Sequence, residues 1–141
     1  MNDEPCFCTT LRQAAQAATE IYDRALEPSG LKITMYRVLR RLSEAERPTI
    51  SELARIVELD RSSLGRNLRV LQRARLVKFG DGDDERSTIV SLTPQGRDAL
   101  ETARPLWRKA QARMRASLGT DADSVYSIRA TVHANAEQLS G

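Results

Sequence analysis

Two cysteines and one histidine in 141 residues leave little for covalent or metal chemistry. Cys6 and Cys8 stand too close together for a disulfide framework. With His133 far along the chain they do not complete a zinc set within one molecule. Aromatic residues make up 4% of the chain, and there is no apolar run of membrane-spanning length and no signal-peptide pattern, so a soluble cytosolic protein without membrane contact is expected. No nucleophile–base pair and no phosphate-cradling glycine loop can be found, which argues against an enzyme. Acidic residues are missing from one particular place. Between Arg61 and Gly80 there is none, while Arg61, Arg66, Arg69, Arg73, Arg75 and Lys78 all fall there.

What is present is a helical composition, 40% hydrophobic and 29% charged, sized for a single domain over residues 1–141. The net charge of +3 hides an asymmetry. Residues 29 to 97 carry fourteen Lys/Arg against nine Asp/Glu, net +5, whereas the first 28 carry two against five, net −3. A basic middle segment calls for an anionic partner, and nucleic acid is the natural one.

Taken in order, the chain reads as follows. From Thr9 a helix is predicted, with Leu11, Ala15, Ala18, Tyr22 and Ala25 at three- and four-residue steps and Pro28-Ser29-Gly30 as its stop. A second starts near Thr34 and turns Met35, Val38, Leu39 and Leu42 inward. Thr49 followed by Glu52 has the capping-box form, and the short helix after it connects through Glu58-Leu59-Asp60 to a further helix. In that helix Leu64, Leu68 and Leu71 share one face while Ser62, Arg66, Arg69 and Arg73 form the opposite stripe. Two short helices with a three-residue turn match a helix-turn-helix. After Arg75 the period becomes two. Leu76, Val77 and Phe79, then Ile89, Val90 and Leu92, predict a hairpin around a tip holding Asp81, Asp83, Asp84, Glu85 and Arg86. Thr93-Pro94 opens a long helix with a seam of Leu100, Ala103, Trp107, Ala110 and Met114. Gly119-Thr120-Asp121 breaks it, and a last helix carries Val125, Ile128, Val132 and Leu139. These terminal seams have no evident partner in the chain and point to a second copy.

Four pieces together resemble the MarR family of winged helix-turn-helix transcription regulators: YDRALEPSGLKITMYRVLRRL at 22–42, ISELARIVELDRSSLGRNLRVLQRARLV at 50–77, DDER at 83–86 and VSLTPQGRDAL at 90–100. The resemblance implies a mainly α fold with a small β wing, in which 9–28 and 98–140 are dimerisation helices and 31–97 is the DNA-binding lobe. It further implies a homodimer on a pseudo-palindromic double-stranded operator, most often acting as a repressor, with no cofactor and no metal. Ser62, Ser63 and Arg66 match the early recognition-helix positions that face the major groove, Arg86 the wing arginine and Asp84 its structuring partner. Gly65, Asn67 and Arg69 depart from the pattern.

The expected DNA-contacting set is Arg61, Ser62, Ser63, Arg66, Asn67, Arg69, Arg73, Arg86 and Ser87. Against it stands a solvated charged face, or a winged-helix module that binds protein and has no specific operator. For the signal, two readings stay open. Tyr22, Tyr36 and Arg37 are candidates for a small-molecule effector pocket, with two tyrosines simply filling a helix junction as the plainer alternative. Cys6 and Cys8 are candidates for thiol oxidation, because Cys8 and Tyr22 have the spacing that resembles peroxide-sensing members of the family, against incidental cysteines.

Overall fold

In the computed structural model residues 3–84 and 86–140 are described. About 75% of the chain is helical, with one two-stranded antiparallel sheet. The elements in chain order are α1 (Phe7–Leu26), α2 (Ile33–Glu44), α3 (Ile50–Val57), α4 (Arg61–Arg73), β1 (Val77–Asp81), β2 (Thr88–Leu92), α5 (Pro94–Leu118) and α6 (Ala122–Ser140). Two compact units divide the chain, residues 1–107 and residues 108–141.

The larger unit is built where the apolar stripes of its helices converge. Leu26 from α1, Val38 and Leu39 from α2, Leu53 and Val57 from α3, Leu64, Leu68 and Leu71 from α4, Val90 from β2 and Leu100 from α5 are all buried in one core. Local chemistry sets the boundaries. α1 begins two residues before the expected start and ends in a 3₁₀ turn over Glu27–Ser29, closed by Gly30 at φ 76°, a left-handed position that glycine occupies without a Cβ clash. The hydroxyl of Thr49 accepts from the Glu52 amide at 3.1 Å and so caps α3. Pro94 sits in the first turn of α5, where its missing N–H costs nothing, and Thr93 caps that turn by accepting from Gly96 N at 3.0 Å.

β1 and β2 pair in register from Val77↔Leu92 to Asp81↔Thr88. The hairpin is fastened at its base. Arg75, at φ 62°, accepts through its carbonyl from the Thr93 hydroxyl, and the Thr93 amide donates to Leu76 O at 3.1 Å. Gly96 lies so close to this junction that a Cβ there would stand 2.0 Å from Leu76 O, so no larger residue fits without moving backbone. On the other side of β2, Val90 N donates to Pro48 O at 3.0 Å, and Thr49 bridges Ile89.

Tyr36, expected at a helix junction, is nearly fully buried. Its ring stacks on Trp107 at 6.0 Å between centroids, and Arg40 lies over the same indole at 5.1 Å. These two contacts on one indole join α2 to α5.

The smaller unit holds the end of α5, a 3₁₀ turn at Gly119–Asp121 and α6. Ala110 and Ala122 are buried, and Arg115 pairs with Asp123 at 3.3 Å. Val125, Tyr126, Ile128 and Val132 of α6 are 45–54% exposed. Among the described residues no helix is long and apolar enough to cross a membrane.

Candidate nucleic-acid interface

α4 is held at its start from two directions. The Asp60 carboxylate caps it, one oxygen accepting from Ser63 N at 2.7 Å and the other from the Ser63 hydroxyl at 2.8 Å. Those two hydrogen bonds, the amide contributing most, hold the Asp60 carboxyl below its ordinary range, with a smaller contribution from the nearby Arg66 charge. Before it, the chain turns at Glu58, whose φ of 57° is left-handed and whose N–H closes α3 onto Ala54 O and Arg55 O. The guanidinium of Arg37 on α2 donates to the Val57 carbonyl, the last of α3. The orphan carbonyl of α3 is therefore satisfied by a neighbouring helix, and the turn is tied to α2 as well as to its own ends.

With Leu64, Leu68 and Leu71 locked in the core, the opposite face of α4 is fixed toward solvent. Arg61, Ser62, Arg66, Arg69 and Arg73 are exposed there. Arg61, Arg69 and Arg73 form no ion pair among the described residues, whereas Arg66 donates from Nη2 to the Ser63 hydroxyl at 3.2 Å. Asp60, Ser63 and Arg66 thus make a short chain that orients one cation of the stripe before any ligand arrives. Asn67 is half-buried at the edge of the stripe. A face with several uncompensated cations and no acid presents a row of phosphate and guanine donors.

The wing tip is organised by Asp84. Its carboxylate accepts from the Arg86 amide at 3.3 Å, and its carbonyl accepts from both the amide and the hydroxyl of Ser87 at 2.9 Å. Gly82 N donates to Ser87 O at 3.0 Å and closes the loop. The expected partnership of Asp84 with Arg86 thus runs through the backbone, which leaves the Arg86 guanidinium exposed and outside any ion pair of the described residues. Ser87, expected among the DNA contacts, spends its hydroxyl on the turn. Glu85 lies outside the described residues.

The other candidates are placed as follows. Tyr36 and Arg37 are engaged with Trp107 and Val57 as above, and Tyr22 is half-buried on α1. Cys6 and Cys8 are both free and exposed, at the N-cap and in the first turn of α1. The Cys6 thiol is lowered from its ordinary range by the backbone and hydroxyl of Thr9 and then by the Cys8 amide. Among the described residues no group of three or more His, Cys, Asp or Glu is arranged to hold a metal ion.

Three positioning contacts lay beyond the sequence reading. Arg37 clamps α3, Asp23 of α1 accepts from the Ile33 amide at 2.8 Å and so caps α2, and Ser63 bridges Asp60 to Arg66. Only the last had a signal in the sequence, the Asp-x-x-Ser-x-x-Arg spacing of one helical turn per step.

This geometry has counterparts. A family model described as MarR family matches residues 29–87. The DNA complex of the M. tuberculosis transcriptional regulator MosR is 41% identical, covers 96% of this chain and 98% of its own, and superposes with a TM-score of 0.86. The transcriptional repressor CouR, bound to a 23-mer DNA duplex, is 25% identical over 91% of this chain and 92% of its own, with a TM-score of 0.79. A helix-turn-helix-type transcriptional regulator of Bacillus subtilis, YhbI, is 24% identical over 112 residues, which span 79% of this chain and 73% of that protein. Its fold, its wing and its relatives are those of regulators rather than enzymes, and the chain belongs to the MarR family of winged-helix, DNA-binding transcriptional regulators.

Proposed function

We propose that the protein is a cytoplasmic homodimeric repressor that binds a near-palindromic operator and is released by thiol oxidation. The observation that carries the reading is the cation stripe of α4, held outward by a buried leucine face, with no acid within the helix itself. α4 enters the major groove, with Ser62, Arg66 and Arg69 toward base edges and Arg61 and Arg73 toward phosphates, while Arg86 reaches from the wing toward the minor groove. Homodimerism is supported by the apolar residues that the chain leaves open, Phe7, Leu11 and Ile21 on α1 and Val125, Ile128 and Val132 on α6.

For release, the cysteines have more support than a ligand pocket, because Tyr36 is closed against Trp107 and Arg37 is committed to Val57. A peroxide takes two electrons from one thiolate, giving a sulfenic acid and one water, and condensation with the second thiol gives the disulfide and a second water. Cys6 is the extended N-cap residue and Cys8 lies in the first turn of α1, so a Cys6–Cys8 bond would act on the start of that helix.

A titration of the protein against its operator at several salt concentrations tests the DNA reading. Phosphate contacts on half-sites about one turn, ~10 bp, apart require affinity to fall steeply with salt. A log–log slope near zero, together with unchanged binding by Arg66→Ala, would favour a protein-binding winged helix instead. Release by peroxide that is equal in wild type and Cys8→Ser would remove the thiol step.

A further inference from the structure

The helix that carries the cations contains a glycine for which the described residues of the chain give no reason. Gly65 lies inside α4, between Leu64 and Arg66. A Cβ built on it meets nothing within 4 Å, and its φ is not in the left-handed range. The two ordinary reasons for glycine are a left-handed backbone, as at Gly30, and a close approach within the fold, as at Gly96. Both are missing here, while glycine in a helix interior still disfavours the helix relative to alanine.

Its neighbours locate the gap. Gly65 follows Arg61 by four residues and Ser62 by three, and precedes Arg69 by four, so these exposed side chains surround it on the helix surface. On its other flank is Leu68, which is buried. Gly65 therefore occupies the border between the core face and the cation stripe. Its amide and carbonyl belong to the helix ladder. What it offers outward is a bare Cα methylene, recessed by one side chain below Arg61, Ser62 and Arg69.

We infer that Gly65 is a specificity-determining position. The missing side chain leaves a notch into which a base edge of the major groove fits, so that α4 seats closer to the duplex than an alanine would allow. This rests on the reading of α4 as the DNA-reading helix. It explains why a residue that weakens the helix stands in its exposed middle, and it separates Gly65 from the arginines around it. Arg61 and Arg73, turned toward phosphates, supply attraction to any duplex, whereas the notch adds to the discrimination between duplexes.

The test uses the full chain and DNA alone. Duplexes are selected from a randomised pool with the wild type. The selected duplex and a scrambled one of equal length are then titrated against wild type and Gly65→Ala, and both proteins are melted. The alanine variant should melt at a higher temperature, bind the scrambled duplex as wild type does, and lose at least about tenfold on the selected duplex, the scale of a lost base contact. Equal affinity of the two proteins for the selected duplex overturns the inference. So does a lower melting temperature for the variant, since the glycine would then serve the fold. A wild type that does not discriminate selected from scrambled DNA removes the assignment of α4 itself and the notch with it, whereas a discriminating wild type matched by its alanine variant removes only the notch.

Discussion

α4 and α6 have apolar residues at the same three- and four-residue steps and opposite fates. In α4 the stripe Leu64, Leu68 and Leu71 is 0–1% exposed, while in α6 the stripe Val125, Ile128 and Val132 remains 45–48% exposed. Periodicity reports that a helix has a face to bury. It does not report what covers that face. The stripe of α4 is satisfied inside the chain, so its polar side is fixed in direction and can serve as a reading surface. The stripe of α6 is not covered by the described residues of the chain, and it is the face that the proposed dimer would bury.

The largest effect should come from closing off that second stripe. Changing Ile128 and Val132 together to aspartate removes two half-exposed apolar side chains from each protomer of the proposed dimer contact, four in all, a loss of about 3–6 kcal/mol of association. Sedimentation should report a monomer with near-normal helix content and no operator binding, and a variant that remains dimeric would break the contrast. Next comes the covered stripe. Leu68→Ala should cost about 2–5 kcal/mol of folding stability, read from the denaturant midpoint. A third change acts on the polar side of α4. Arg66→Ala should leave stability unchanged, weaken operator binding by about 1–3 kcal/mol and relax specificity at the base pair it contacts. Any large loss of stability there would mean that the Asp60–Ser63–Arg66 chain supports the fold more than the reading surface.

The smallest effect concerns pH. A carboxyl lowered in the folded state binds its proton less readily there than in the unfolded chain. The contribution of Asp60 is therefore complete above the ordinary carboxylate range and is lost as pH falls through its lowered value. Asn also caps helices well. Asp60→Asn should leave the melting temperature at neutral pH nearly unchanged and make its fall on the acid side slightly shallower.

Features governed by near neighbours could be read from the residues. The Thr49 and Asp60 caps, the stop at Pro28-Ser29-Gly30 and the break at Gly119 depend on contacts within about one turn of the chain, the change of period after Arg75 on alternation within each strand, and all are found. Arg37 was grouped with the two tyrosines because composition shows that a cation is present and not which carbonyl it reaches. Its partner Val57 lies 20 residues on. Tyr36 belongs to the core for the same kind of reason, since Trp107 arrives from α5 to cover it. Gly65 stands out in the sequence as a departure from the family pattern, and the empty space at its Cβ needed the fold.

The fastening of Arg75 and Leu76 to Thr93 and Gly96 has a consequence for how the wing can change. At the root of the hairpin the ends of both strands are closed by contacts from Thr93 and Gly96, whereas Gly82 and Ser87 close only the tip. A hairpin knotted at its root transmits little from its tip to the lobe, and lengthening a surface loop adds only slowly to its closure entropy. The segment from Gly82 to Ser87 is thus an exchangeable cassette. Loops of other lengths could be grafted between the strands to alter minor-groove reach, with the helix-turn-helix left intact as the chassis.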